Sequence, residues 1–356
     1  MQQCLDCVPL ATLQRLVRYW RDAYDWRRYE TLLNSWPSFR TTIFGVAIHF
    51  LHIRSRHERA LPLLLTHGWP GSVLEFRHVV EPLTEPKTAS GGGGAEEEEE
   101  AEVRKEVFHL VIPSLPGFGF SGKPEEAGWN PGRIARAWAV LMERLGYERW
   151  VAQGGDWGAD VTAELGRLAP PGLIAIHMNS LFYDVKKEIK GEPSNEELKA
   201  LKLQEEFDQD EAGYANIQMT RPQTLGYGLV DSPVGQAAWI YEKFHGWSHH
   251  DGNVESVFSK DEMLDTIMLY WLTNSAASSA RIYWEKLDTN AIPITIPVGA
   301  SWFPGDQTFA PRQWCERYYS NLIHWKEVEK GGHFAAWEQP GIFVREIQDC
   351  FRKVLK

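Results

Sequence analysis

Cysteine is scarce in this sequence, with only four among 356 residues. Cys4 and Cys7 form a single C-x-x-C pair, and no second pair supplies the other two ligands of a structural zinc site. Cys315 and Cys350 are isolated in the sequence. The sequence therefore predicts no disulfide framework, no metal site and a reducing, cytoplasmic environment.

Long hydrophobic runs and an excess of basic residues are also missing. No segment approaches the run of about 20 apolar residues that a membrane-spanning helix requires, and the apolar run 43–53 contains two histidines. The formal net charge of -11 argues against nucleic acid as a partner, because phosphates bind Lys and Arg. The sequence predicts no membrane span and leaves peripheral membrane association and a homodimer open.

What the sequence does contain is an alternation of short apolar runs and amphipathic segments. Strands are predicted at 43–53, 61–65, 107–113, 150–153, 173–178 and 292–298, and helices at 13–36, 131–145, 159–168 and 340–354. This alternation is typical of an α/β fold with a mostly parallel sheet covered by helices.

Two regions interrupt the alternation. Residues 90–102 (SGGGGAEEEEEAE) are of low complexity and predict a solvated loop insertion. A charged stretch and then helical segments around 233–245 and 261–285 predict a mostly helical insertion. The predicted organisation is an N-terminal region over 1–42, a core over 43–180 and 285–356, and a helical cap over 181–284.

The segment 154–158 (GGDWG) lies between a predicted strand and a predicted helix. It matches the nucleophile elbow, a tight strand-to-helix turn that exposes its central side chain, with Asp156 where lipases carry serine. A helix N-terminus favours negative charge there. A carboxylate attacks saturated carbon in preference to a carbonyl group, so we expect Asp156 to form an alkyl ester. The plainer alternative is that Asp156 only caps the helix.

Hydrolysis of such an ester needs a base and a site for the oxyanion. His333 follows two glycines near the C-terminus, and Asp306 follows the last predicted strand, in the chain order nucleophile, acid, histidine of this kind of site. Asp288 is a weaker candidate for the acid because it precedes that strand. The backbone N–H groups of Trp69 and Trp157 are predicted to receive the oxyanion.

Five segments spread along the chain resemble the epoxide hydrolases of the α/β-hydrolase superfamily, in particular the microsomal-type branch. They are 19–27 (YWRDAYDWR), 67–72 (HGWPGS), 154–158 (GGDWG), 231–235 (DSPVG) and 331–336 (GGHFAA). The resemblance implies an α/β-hydrolase fold with an N-terminal meander and a helical cap, and no cofactor or metal. The chain begins close to the first motif, which suggests a shorter N-terminal region than is usual in the family.

The resemblance also assigns site residues. It implies the nucleophile at Asp156, the orienting acid at Asp306 and the base at His333. It further implies two cap tyrosines that hydrogen-bond the epoxide oxygen, which are Tyr214 and Tyr283 by local match. Substrate contacts are expected from His67, Gly68 and Pro70.

The predicted function is the conversion of apolar or aromatic epoxides to vicinal diols, with water as the second reactant and a covalent ester on Asp156. A haloalkane dehalogenase would share the aspartate nucleophile and could use Trp157 to bind halide, but the tyrosine pair and the HGWPG turn favour the hydrolase. A non-catalytic binding protein of the same fold would tend to lose a member of the triad, and none is missing.

Overall fold

A mostly parallel sheet forms the centre of the protein. The computed structural model describes residues 8–86, 106–181, 183, 185–285 and 293–355. Its strands are β1 (Ser38–Ile43), β2 (Val46–Ile53), β3 (Leu61–Thr66), β4 (Phe108–Pro113), β5 (Trp150–Gly154), β6 (Leu173–Met178), β7 (Val298–Trp302) and β8 (Leu322–Glu327). Their order across the sheet is β1-β2-β4-β3-β5-β6-β7-β8. The β1–β2 and β2–β4 pairs are antiparallel, and the other neighbours are parallel.

Helices connect the strands and build the region between β6 and β7. Those of the N-terminal region and core are α1 (Leu10–Asp22), α2 (Trp26–Asn34), α3 (Val80–Thr84), α4 (Pro131–Arg144) and α5 (Trp157–Leu168). Those between β6 and β7 are α6 (Val185–Glu188), α7 (Asn195–Glu206), α8 (Gly213–Thr220), α9 (Pro222–Asp231), α10 (Pro233–Trp247), α11 (Lys260–Leu272) and α12 (Ala276–Trp284). The chain ends with α13 (Arg312–Tyr318), α14 (Ala335–Glu338) and α15 (Pro340–Arg352).

The central strands were predictable because they are apolar throughout. Every residue of β3 and β4 is buried, as expected of strands in a sheet that is covered on both faces. The helix predicted over 131–145 is α4, where Asn130 accepts a hydrogen bond from the Arg133 N–H and Pro131 occupies the first turn.

Three predicted elements differ from the structure, two in the N-terminal region and one in the region between β6 and β7. The segment 43–53 is not one extended strand but the end of β1, a turn and β2 of a hairpin, because Phe44 and Gly45 turn the chain with φ of 49° and 83°. The predicted border at residue 42 therefore falls inside β1. The helical segment 13–36 is two helices, and Asp25 caps the second by accepting from the Arg27 N–H. The segment 261–285 is likewise two helices, separated at Asn274, where φ is 52°.

The strand predicted at 292–298 is wrong, because the strand of this part of the sheet is β7 and begins at Val298. Pro293 and Pro297 lack the N–H group that a central strand must donate. Ile294 makes only an isolated bridge to Tyr319. Asp288 lies outside the described residues, as do the C-x-x-C pair and the insertion at 90–102.

The N-terminal motif 19–27 and the residue after it contact α11. Tyr24 donates its hydroxyl to Asp265 Oδ1 on α11 over 2.9 Å, and Arg28 donates to the same carboxylate. Arg77 reaches Asp265 from the core at 2.9 Å. Asp265 is fully buried, and a buried carboxylate needs this number of partners to offset the loss of hydration. The N-terminal region, core and α11 therefore meet at one charged centre.

The described residues hold neither a candidate membrane span nor a candidate metal centre. No described helix is both long and apolar enough to cross a membrane. No group of three or more described His, Cys, Asp or Glu side chains is arranged to hold a metal ion. Cys315 and Cys350 are buried free thiols.

Candidate active site

Asp156 lies on the sharp turn between β5 and α5. Its φ of 51° is in the left-handed region, which a non-glycine residue adopts at a cost in strain. The turn is tight enough that a Cβ atom at Gly158 would lie 1.9 Å from the Thr66 carbonyl oxygen. The Asp156 side chain makes no capping hydrogen bond to its own helix. The alternative of an ordinary helix cap is therefore wrong, and the carboxylate is directed elsewhere.

The turn after β3 receives this carboxylate. The Trp69 N–H donates to Asp156 Oδ1 over 2.7 Å. Gly68 makes room for it, since a Cβ atom there would lie 2.0 Å from the same oxygen. Pro70 follows Trp69 across a cis peptide bond. Trp157 begins α5 directly after Asp156, and its ring lies edge-on to Tyr283 with centroids 4.8 Å apart.

His67 lies beneath the turn. Its Nδ1 donates to the Gly68 carbonyl oxygen at 2.9 Å, and its Nε2 accepts from the Leu115 N–H at 3.2 Å. Burial lowers the pKa of His67 to about 4, so the ring is neutral at ordinary pH. Both nitrogens are engaged by backbone groups, which gives His67 a positioning role in the turn. Its predicted contact with substrate stays a prediction, as do those of Gly68 and Pro70.

His333 lies between two carboxylates. Its Nε2 is 3.4 Å from Asp156 Oδ2, and its Nδ1 is 3.1 Å from Asp306 Oδ1. Burial alone would lower the pKa of His333, but Asp306 and Asp156 more than offset it, and the pKa is raised well above its usual value. The imidazolium form is therefore stabilised while both carboxylates are charged.

Asp306 is itself held in place by the loop that follows β7. Its Oδ2 accepts from the Ser180 hydroxyl at 3.0 Å, and its Oδ1 accepts from the Gln307 N–H at 2.8 Å. The Gly305 N–H donates to the Gly331 carbonyl oxygen at 2.8 Å, which joins the acid loop to the histidine loop. Residues predicted from three distant parts of the sequence thus meet at one edge of the sheet.

Tyr214 on α8 and Tyr283 on α12 lie above this edge in an aromatic cluster with Trp69, Trp157 and Trp247. Tyr214 stacks on Trp69 with ring centroids 5.2 Å apart and an interplanar angle of 9°. The Tyr283 ring is 5.8 Å from both Trp69 and Tyr214, edge-on to each. The Tyr283 hydroxyl is buried and has no hydrogen-bond partner among the described residues. A buried phenol that lacks a well-formed hydrogen bond can donate to a ligand oxygen.

Sequence reasoning missed Glu338, which organises the histidine loop. Its carboxylate accepts from the N–H groups of Gly332 at 2.9 Å and Phe334 at 3.0 Å, on either side of His333. It also accepts from the N–H of His249, just after α10, at 2.9 Å. Burial raises the pKa of Glu338 to about 7 against the effect of these hydrogen bonds. Its position five residues after His333 was the available signal.

Glu75 was also missed. Its carboxyl group packs against Gly71, where a Cβ atom would lie 2.3 Å from Glu75 Oε2. Burial raises the pKa of Glu75 to about 8, with the charge of His333 opposing the shift and that of Asp156 adding to it. The site thus holds a second carboxyl group that is less acidic than usual and that interacts with the Asp156 charge.

Known protein families and relatives match this chain in sequence. The model of the epoxide hydrolase N terminus matches residues 2–76, and that of the alpha/beta hydrolase fold matches residues 62–179. A relative from Stigmatella aurantiaca, provisionally named an epoxide hydrolase, is 55% identical over 98% of this chain and 77% of its own length. Epoxide hydrolase 1 of Sus scrofa is 35% identical over 94% of this chain and 78% of its own length.

The fold agrees with these matches. The solved structure of Aspergillus niger epoxide hydrolase superposes with a TM-score of 0.84 at 32% identity, covering 98% of this chain and 86% of that one. The α/β-hydrolase fold predicted from the sequence is confirmed. The chain therefore belongs to the epoxide hydrolase family, and it is an enzyme with the α/β-hydrolase fold.

Proposed function

We propose that this epoxide hydrolase works through a covalent ester on Asp156, formed in one half-reaction and hydrolysed in a second. The observation that carries the proposal is the setting of the Asp156 carboxylate. One oxygen accepts the Trp69 N–H at 2.7 Å, and the other lies 3.4 Å from His333 Nε2. The aromatic cluster with its two phenols lies against the same turn through Trp69.

In the first half-reaction, an Asp156 oxygen attacks an epoxide carbon. The carbon–oxygen bond of the ring breaks, and its electron pair stays on the epoxide oxygen. An alkoxide is a poor leaving group, so the oxygen takes a proton from a tyrosine phenol as it leaves. Tyr214 and Tyr283 are suited to this step, because both are phenols of the aromatic cluster and the Tyr283 hydroxyl has no partner among the described residues.

In the second half-reaction, His333 removes a proton from water and the water oxygen adds to Cγ of Asp156. The oxyanion that forms would be stabilised by the Trp69 N–H and by the N–H of Trp157. As the intermediate collapses, the bond between Cγ and the alkoxy oxygen breaks, that oxygen takes the proton held by His333 to give the diol, and the Asp156 carboxylate is restored. The proton that ester hydrolysis sets free returns to the tyrosine, so the cycle consumes only epoxide and water.

Esterification itself prepares the base. While Asp156 is charged, it helps to raise the pKa of His333. The ester is neutral, so this contribution disappears and the pKa of His333 falls. The ring then gives up to solvent the proton that it carries in the free enzyme, so that the neutral ring can accept a proton from water, and Asp306 remains to stabilise the imidazolium.

The substrate class follows from the walls of the site. Trp69, Trp157 and Trp247 surround the two tyrosines, and such aromatic walls favour apolar or aromatic epoxides. We further propose that the region 181–284 acts as the cap over the site. A homodimer and a cytoplasmic location remain predictions from the sequence.

A panel of aryl and alkyl epoxides tests the proposal. The purified protein should form diols from at least one of them, and Asp156→Ala should form none. Asp208→Ala replaces an exposed aspartate of the cap region and should behave like the unmodified protein. Release of chloride from chloroalkanes without diol formation from any epoxide would overturn the assignment.

A further inference from the structure

Lys243 is a buried cation next to one of the two tyrosines. It lies on α10 and is 1% exposed. Its Nζ is 4.3 Å from the centroid of the Tyr214 ring and 5.4 Å from that of Trp247. An ammonium group loses its hydration when it is buried, which is costly unless nearby groups compensate. A lysine therefore needs an explanation at a position where an apolar side chain would pack as well.

Two carboxylates account for part of the compensation. Lys243 Nζ donates to Glu242 Oε1 over 2.7 Å, and Glu211 Oε2 is 3.9 Å away. Both glutamates are partly exposed, so solvent weakens their field more than it weakens that of the ammonium. The Tyr214 ring supplies the remaining contact, through the attraction between a cation and an aromatic face.

The two tyrosines differ in whether a cation lies against the ring. Among the described residues, Lys243 lies over the Tyr214 ring and no cation lies over the Tyr283 ring. Burial and the Asp156 carboxylate raise the pKa of Tyr214 far above its usual value, which opposes loss of its proton. A positive charge at the ring face acts in the opposite direction.

We propose that Lys243 is a positioning residue that makes Tyr214 the proton donor of the pair, by stabilising the negative charge that develops on its ring as the epoxide opens. The inference rests on the proposed function, because it needs a tyrosine that donates a proton. As the phenol O–H bond breaks, its electron pair becomes phenolate charge that is shared with the ring. The attraction to the ammonium is then stronger in the transition state than in the resting enzyme, and only such differential interactions accelerate a reaction. Tyr283 keeps its proton and donates a hydrogen bond.

The alternative is a purely structural set of ion pairs, in which Lys243 binds Glu242 on its own helix and also joins α10 to Glu211, just before α8. The two explanations differ in what they predict for variants. A structural lysine stabilises the cap in any background, whereas a lysine that acts through Tyr214 affects the rate only when the Tyr214 hydroxyl is present.

The experiment measures the rate of adduct formation in single turnovers with a styrene oxide-type epoxide, in a His333→Gln background that stops at the ester. Lys243→Met should slow adduct formation about tenfold, within the range of a desolvated cation–π contact. It should have the same effect with Tyr283→Phe and no effect with Tyr214→Phe. Lys243→Arg should restore most of the rate. With His333 intact, the rate of ester hydrolysis should not change in Lys243→Met.

Glu242→Gln gives a second test that does not depend on the folding of Lys243→Met. Removing that carboxylate leaves the ammonium charge less neutralised, so adduct formation should become faster, by about threefold. A structural ion pair predicts the opposite sign, because either partner's loss weakens the cap. Slower adduct formation in Glu242→Gln would overturn the inference.

The outcomes also separate the inference from the proposed function. If Tyr214→Phe forms adduct at the unmodified rate, the role of Tyr214 fails and the inference fails with it. If Tyr214→Phe is slow but Lys243→Met has the same effect with and without the Tyr214 hydroxyl, only the inference on Lys243 is overturned. Loss of the effect in Tyr214→Phe supports both.

Discussion

The two sides of the active site are held together by different kinds of contact. On the sheet side, Asp156, Asp306 and His333 come from loops after β5, β7 and β8, and hydrogen bonds of 2.7–3.1 Å fix the nucleophile and the acid. On the cap side, Tyr214 and Tyr283 are held by ring contacts with centroids 4.8–5.8 Å apart. Hydrogen bonds are directional, whereas ring contacts tolerate small displacements.

The difference matches the division of labour in the proposed mechanism. There, the sheet side carries out ester hydrolysis, which needs a base, an acid and an oxyanion site in fixed positions. The cap side would assist ester formation, which must accommodate the shape of the epoxide. Variants on each side should therefore affect one half-reaction more than the other.

Replacing His333 by Gln gives the largest expected effect. Glutamine cannot accept the proton of water, so overall turnover should fall by at least about 10³-fold, as when a member of a triad is removed. Ester formation should survive. Intact-protein mass spectrometry should then show an increase equal to the mass of the epoxide. His245→Gln, on the exposed side of α10, is the control and should accumulate no adduct.

The double replacement of Tyr214 and Tyr283 by Phe should abolish most ester formation. A general acid contributes on the order of 10²–10⁴ in rate, and each single variant should lose less because the other phenol remains. Hydrolysis of an ester that does form should proceed at the unmodified rate. Tyr227→Phe replaces an exposed tyrosine of α9 and serves as control. A double variant with normal ester formation would mean that the tyrosines only pack the cap.

Glu338→Gln should loosen the contact between the two sides. The carboxamide can accept hydrogen bonds through one oxygen only, so at least one of the three N–H groups now bound by Glu338 loses its acceptor. A buried donor without a partner costs about 1–3 kcal/mol. Denaturant unfolding should show this decrease in the free energy of unfolding. Glu143→Gln on α4 is exposed and should change it little.

A smaller effect is expected on the pKa of His333 when Asp156 is esterified. Because Asp156 and Asp306 raise the pKa of His333 in the free enzyme, loss of the Asp156 charge in the ester should lower that pKa. Ester decay should therefore speed up with rising pH around a midpoint below the pKa measured by NMR in the free enzyme. Coincident values would contradict the idea that esterification prepares the base.

The sequence was sufficient where the signal is local. The strand, the glycines and the helix around Asp156 are contiguous, and chain order pointed to Asp306 and His333. The cap tyrosines came only from the resemblance, because nothing in the residues next to Tyr214 or Tyr283 distinguishes them from packing tyrosines.

The features that the sequence did not predict depend on contacts between distant segments. Glu338 binds the His249 N–H across 89 residues, and Arg77 binds Asp265 across 188. A buried lysine such as Lys243 contradicts the usual rule that charges stay at the surface, so no sequence pattern would place it inside. The sequence placed strand β7 at 292–298, where the apolar run contains two prolines. Proline has no N–H group to donate to a neighbouring strand, so this segment does not pair as a central strand.

A single turnover in ¹⁸O-labelled water, with enzyme in excess over epoxide, tests the covalent mechanism most directly. In the proposed mechanism, water attacks Cγ of Asp156, so the label should appear in the Asp156 carboxylate and the first diol should carry none. Peptide mass spectrometry of the segment around Asp156 and of the diol measures both. A fully labelled first diol with an unlabelled carboxylate would show that water opens the epoxide directly, and the covalent account would be wrong.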